Sequence, residues 1–261
     1  MPAQRAHASG TRDNSRRTTV NFDDTAKAAI AAALERYVAE RSDLAAHCER
    51  ISADVIDYRR EWQALADLGV LALPFKESMG GMGGSAADMA DALQTLAAGL
   101  LIEPLIECGV LAGNVLKTGD NGAAALDDLI IGRTITVPVG GRCCDDIRYD
   151  RTPGSIRLSG IVRVVPGAAA ADEWLIVAAN AATGRSIVRM PADPARQVAF
   201  RLMDGRGAAD IQLDGIVLSD ASLVLQQAMA DRALALVTAS AVCAYSADAV
   251  GVMRALVATT A

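Results

Sequence analysis

The stretch EWQALADLGVLALPFKESMGGMGGSAADMADALQTLAAGLLIEPL, Glu61 to Leu105, decides how the chain is read. Trp62, Leu65 and Leu68 recur at helical spacing and stop at Gly69, a C-terminal signal. Four glycines then fill five positions, Gly80 to Gly84, with Met82 between them. Ser85 follows as an N-cap, with Asp88 three residues on as an acidic capping box, and Met89, Leu93 and Leu96 lie on one face of the next helix. Pro104 opens a fourth helix, expected to run to about Lys117. Gly81, Gly83 and Ala86 satisfy G-x-G-x-x-A, with Glu103 near the place of an acidic ribose ligand. In a dinucleotide-binding unit the first glycine directly follows a strand. Here PFKESMG separates the apolar run Val70–Leu73 from Gly81, helix follows helix, and no Gly-Lys-Ser/Thr occurs. The loop therefore reads as a sharp bend between two bundle helices.

Outward from this stretch, three regions differ in periodicity. Asp24 is a plausible N-cap before Ile30, Leu34, Tyr37 and Val38, and Ile51, Val55, Trp62, Leu65 and Leu68 predict one second helix. From about Leu129 to Leu225 the segments TITVPV, SIRLSGIVRVV, EWLIVAA, SIVRM and IQLDGIVL alternate with Gly, Pro, Asp and Asn clusters, as in an antiparallel sandwich or barrel. After Ser222 an alanine-rich stretch without Gly or Pro until Gly251 predicts one long helix. Such a helix must lay its apolar face on something: the N-terminal bundle, another chain, or helices of a C-terminal region that the sequence has lost. The expected fold class is α+β multidomain: an N-terminal α-helical bundle, a middle antiparallel β-sandwich or barrel, and the start of a C-terminal helical domain. The expected boundaries are a disordered tail over 1–21, helices over 22–125, β over 126–221 and the first helix of an incomplete helical domain over 222–261.

Composition narrows the function. With 25 Lys+Arg against 31 Asp+Glu and 3% aromatics, the chain is acidic and poor in stacking platforms, so nucleic acid is not an expected partner. No apolar run is read as reaching bilayer length, and the N-terminus lacks a secretory core, so no membrane span and a cytoplasmic location are expected. Five cysteines without C-x-x-C spacing suit a reducing compartment. The vicinal pair Cys143 and Cys144 could be reactive, but adjacent cysteines rarely meet disulfide geometry. The two histidines are His7, in the tail, and His47, at an ordinary helix end, which excludes hydrolase triads and multi-histidine metal sites. Chemistry must come from carboxylates, backbone groups or a bound cofactor.

The Glu61–Leu105 stretch resembles the N-terminal domain of acyl-CoA dehydrogenases, where W-x-x-L-A-x-L-G-L leads through a proline link to Y-G-G-x-G-G and an E-E-L-G helix. Met79 replaces the aromatic, and LQTLAAGLLIEPL replaces the E-E-L-G pattern. The helical, β, helical order and the ending AVGVMRAL are also similar to that family. The resemblance implies α,β-dehydrogenation of an acyl-CoA thioester, with FAD as hydride acceptor and a glutamate base, in a homo- or hetero-oligomer contacting through the C-terminal helix. It places Gly80, Gly81 and Gly83 at a pocket wall near the acyl entrance.

The flavin segments of the family map by spacing. T-E-P-x-x-G-S-D falls on TVPVGGRC, keeping Thr136, Pro138 and Gly141, with Val137, Arg142 and Cys143 at the acid, serine and aspartate positions. Arg142 could face a phosphate, or it could be a solvated turn residue after a strand. The second segment falls on GIVRVVPGAAAAD, with Arg163 where an aromatic walls the flavin ring and Pro166 where a Thr or Ser bonds flavin N5. Proline has neither hydroxyl nor N–H, so that bond is lost, at about 1 kcal/mol. No acidic residue matches the family's base by motif. The alternative reading is a non-catalytic subunit of a heteromeric acyl-CoA dehydrogenase that shapes the pocket and stabilises its partner.

Overall fold

A computed structural model describes residues 24–141 and 147–260. The N-terminal part holds α1 (Asp24–Ala39), α2 (Leu44–Ser52), α3 (Arg59–Asp67) and α4 (Ala86–Ala98). A π-helix, Leu105–Ala112, runs on into α5 (Gly113–Leu116), and α6 is Ala123–Ile130. The expected single second helix is two. Asp43 accepts from the amides of Ala45 (2.9 Å) and Ala46 (3.3 Å) to start α2, which ends at Ser52 and leaves Val55 83% exposed. The Arg201 guanidinium, from the β region, takes the carbonyls of Ile51 and Ala53 that a continuing helix would use. Asp57 then accepts from the Arg59 amide at 2.9 Å and α3 begins. The fourth helix starts after Pro104 as expected, but its first eight residues are wound as a π-helix, a form that often marks functional sites.

Ten strands follow: β1 (Thr136–Val139), β2 (Arg148–Thr152), β3 (Ser155–Ser159), β4 (Ile161–Pro166), β5 (Glu173–Asn180), β6 (Gly184–Pro191), β7 (Gln197–Arg201), β8 (Gly207–Gln212), β9 (Ile216–Ser219) and β10 (Leu223–Gln226). They form a seven-stranded sheet, β10-β6-β5-β2-β3-β9 with β1 beside β5, and a three-stranded sheet, β4-β8-β7. Most pairs are antiparallel, but β1 runs parallel to β5, Thr136 opposite Glu173. Strands β2, β7 and β10 and helix α6 were not anticipated from sequence. The long helix starts later than Ser222 because Leu223–Gln226 pairs with β6.

Helix α7, Gln227–Thr260, docks one narrow face on the N-terminal bundle, while Leu236, Val242, Met253, Leu256 and Val257 stay exposed. Its buried residues are small: Ala230, Ala233, Ala244, Ala247 and Gly251. A Cβ at Gly251 would lie 2.2 Å from the Gln94 carbonyl oxygen of α4, so glycine sets how closely the helices cross. By length and composition α7 is apolar enough to cross a membrane, which corrects the expectation that no run reaches that length. One contiguous core joins the regions, with Trp62, Phe75, Leu105 and Trp174 among its most buried members.

Candidate functional site

The glycine loop is closed on itself. The amides of Gly81, Met82, Gly83 and Gly84 donate to the carbonyls of Lys76 (3.0 Å), Ala72 (3.0 Å), Phe75 (2.7 Å) and Leu73 (2.9 Å). A phosphate cradle needs free amides, and these four are taken. At Gly81 a Cβ would lie 2.2 Å from the Phe75 carbonyl oxygen, while Gly80 and Gly83 have φ of +76°. The capping box predicted at α4 is present: Ser85 Oγ accepts from the Asp88 amide (3.2 Å), and Asp88 Oδ2 accepts from the Ser85 amide (2.7 Å).

The loop lies next to a groove of about 320 Å³ between α4, the π-helix–α5 segment and α7. Pro74, Met89, Leu93, Val110, Leu236 and Ala244 give it an apolar wall. Asn114 donates to Ser240 Oγ at 2.9 Å, and Lys117 stands at the edge with its pKa lowered by burial. Gly80 itself faces Ile130 of α6, and Gly80, Gly81 and Gly83 are not among the residues that line the groove.

The positions assigned to flavin by resemblance do not come together as a donor set. Thr136 is fully buried, its amide donating to Cys108 Sγ (3.2 Å) and its hydroxyl to Glu173 (3.4 Å). Pro138, beside it on β1, has no amide hydrogen. Gly141, φ +90°, faces Val177 and Leu234 of α7. Arg142, like Cys143 and Cys144, lies outside the described residues. Arg163 is 71% exposed in its side chain and pairs with Asp210 at 2.8 Å, while Asp210 also accepts from the amide of Val164, a residue at φ +52°. Pro166 is half-buried, and at the next residue, Gly167, a Cβ would lie 2.7 Å from Pro104 Cβ and 3.5 Å from Glu107 Cβ. The gap that Pro166 borders with Glu107 and Arg206 holds about 10 Å³, no more than one water occupies. Among the described residues, then, Pro166 offers no donor and Thr136 is engaged within the chain, while Arg142, the candidate phosphate contact, lies outside them.

A polar network that the sequence did not reveal lies at this junction. Glu107, on the π-helix, is buried, and Tyr245 of α7 donates to its Oε1 at 3.0 Å. Arg206, just before β8, holds both oxygens of Asp248 of α7 at 2.9 Å. Burial pushes the Glu107 carboxyl above its ordinary value, against the opposing pull of the Tyr245 hydrogen bond and Arg206. Burial also raises Tyr245, reinforced by the Glu107 charge. The sequence signal for Glu107 was one acid inside the apolar run LIECGVLAG; nothing marked Arg206, Asp248 or Tyr245.

Residues 24–121 match the family described as acyl-CoA dehydrogenase, N-terminal domain. No curated protein matches the sequence. Among solved structures, one chain of the ChsE4-ChsE5 complex from Mycobacterium tuberculosis is 21% identical, with a TM-score of 0.75 over 90% of this chain and 66% of that one. PigA with FAD and proline is 16% identical, TM-score 0.76, over 92% of this chain and 68% of that one. A glutaryl-CoA dehydrogenase from Mycobacterium smegmatis in complex with FADH2 is 18% identical, TM-score 0.73, over 90% and 64%. At these identities the likeness is one of fold, and the chain spans about two thirds of the length of these structures.

Proposed function

From the premise that this chain carries the N-terminal domain of the acyl-CoA dehydrogenase family over residues 24–121 and has that family's fold, we propose that it is a subunit of an acyl-CoA dehydrogenase-type assembly. In this reading the assembly carries out α,β-dehydrogenation of an acyl-CoA thioester with FAD, and this chain shapes the pocket and supports a partner chain. The partner supplies the flavin contacts and the base. One observation carries the reading: Pro166 has no donor where a hydroxyl is expected to bond the flavin, and Thr136, the other expected donor among the described residues, is engaged within the chain. What this chain contributes is the apolar groove beside the glycine bend, where Met89, Leu93, Val110 and Leu236 exclude water from an acyl group. Asn114, Ser240 and Lys117 give that groove a polar edge that orients the thioester end. A complex of one M. tuberculosis relative in fold, ChsE4-ChsE5, supports looking for a second, different chain.

The test is to express the chain with the product of a neighbouring gene, purify the complex, and follow enoyl thioester formation with an acyl-CoA series. Activity and yellow colour that need both chains support the reading. A complex that stays colourless and inactive with added FAD overturns it.

A further inference from the structure

We propose that Lys117 is a site of self-acylation, where its amine takes the acyl group from a CoA thioester held in the groove between α4, the π-helix–α5 segment and α7. The inference rests on the reading that this groove receives an acyl thioester.

The lysines of the chain are Lys27, Lys76 and Lys117, and their surroundings differ. Lys27 is paired with Asp88 at 3.2 Å, and Lys76 is exposed. Lys117 is half-buried at the edge of the groove, and no carboxylate is among the residues that line it. Its ammonium has no ion pair or hydrogen bond among the described residues. The nitrogen is still open to a reactant, because the buried side-chain atoms without a partner belong to Trp62, Glu103, Thr134, Trp174 and Gln197. Burial lowers the Lys117 pKa, and the positive charge of Lys76 lowers it further, so more neutral amine is present than on an exposed lysine.

The groove supplies the placement. Lys117 closes the π-helix–α5 segment three residues after Asn114, whose amide donates to Ser240 Oγ on α7 at 2.9 Å. With the alkyl chain against Met89, Leu93, Val110 and Leu236, the thioester lies at this polar edge beside the amine. The Lys117 nitrogen attacks the thioester carbonyl, an N–C bond forms, and the C–S bond breaks. CoA leaves as the thiolate and takes the proton that the amine gives up, so the products are an amide and free CoA, with no oxidant or reductant needed. The acyl chain of the amide stays in the groove, and a modified chain no longer admits a second acyl group there.

The test incubates the whole chain with hexanoyl-CoA or acetyl-CoA, without flavin or partner, and maps acylation by peptide mass spectrometry. Hexanoylation of Lys117 is expected to run at least about tenfold faster than that of Lys76, with a smaller ratio for acetyl-CoA, which the groove wall holds less well. Ala239 lines the groove from an exposed position on α7, so Ala239→Trp should fill it and bring Lys117 down to the Lys76 rate while leaving the melting temperature in place. Cys243 lines the same groove, and hydroxylamine, which cleaves a thioester but not an amide, tells an acyl group on its thiol from one on Lys117. Equal rates at Lys117 and Lys76, an unchanged Lys117 rate in Ala239→Trp, or label on Cys243 in place of Lys117 overturns the proposal. S-hexyl-CoA, a thioether that cannot acylate, is titrated calorimetrically in parallel. Its binding without Lys117 labelling by hexanoyl-CoA overturns this inference alone, whereas its failure to bind overturns the acyl-groove reading as well.

Discussion

Tyr245 on α7 donates its hydroxyl to Glu107 Oε1 on the π-helix at 3.0 Å, so the C-terminal helix is tied to the N-terminal bundle through a carboxyl group kept from solvent. Removing the donor leaves a buried acceptor without that partner. Tyr245→Phe should therefore cost about 1–3 kcal/mol, against the smaller effect expected of an exposed position. Urea unfolding of the two proteins at neutral pH measures it.

Glu107 also makes stability depend on pH, and the direction follows from its environment. Burial raises its folded-state pKa above the ordinary 4.5, while Tyr245 and Arg206 oppose the rise and Asp248 adds to it. A raised folded value means that its stabilising contribution is complete below the unfolded pKa and is lost as pH rises through the folded one. Wild type should lose stability as the pH rises above the ordinary carboxylate range. Glu107→Gln, whose amide oxygen still accepts from Tyr245, should flatten that slope. Melting temperatures across a pH series decide it; equal slopes would refute the assignment.

The two kinds of glycine in the bend should separate on substitution. At Gly81 a methyl group would meet the Phe75 carbonyl oxygen at 2.2 Å, an obstacle made of backbone. At Gly83 there is nothing within 4 Å, and only the φ of +76° resists a side chain. Gly83→Ala should cost about 1–2 kcal/mol, and Gly81→Ala about 3 kcal/mol or more. Chemical denaturation of the pair gives the order.

Gly251 controls the crossing of α7 over α4. With a Cβ there only 2.2 Å from the Gln94 carbonyl oxygen, Gly251→Ala must push the helices apart and loosen the Ala244 and Ala247 contacts. Hydrogen exchange should quicken along α7 while the amides of β5 and β6 keep their protection. Uniform acceleration across both regions would mean that α7 is not a separately docked element.

The parts of the fold that were legible in the sequence are those set by local signals. Ser85 and Asp88 form the capping box that their spacing predicts, and the glycine run bends the chain where it was expected. Elements fixed by distant partners were not legible. The break between α2 and α3 depends on Arg201, some 150 residues away in sequence, taking the Ile51 carbonyl. LVLQ, apolar and free of Gly and Pro, reads as helix until β6 is present to pair with it. At the site, Pro166 announced its missing donor directly. The fate of Thr136 and Arg163 depended on Glu173 and Asp210, neither of which any motif had tied to them.

We propose that this chain alone does not hold a flavin. The most direct measurement is the visible spectrum of the purified chain after incubation with excess FAD and desalting. A colourless protein is expected, with flavin absorbance appearing only when the partner chain is present. A yellow single chain retaining FAD at one equivalent would contradict it.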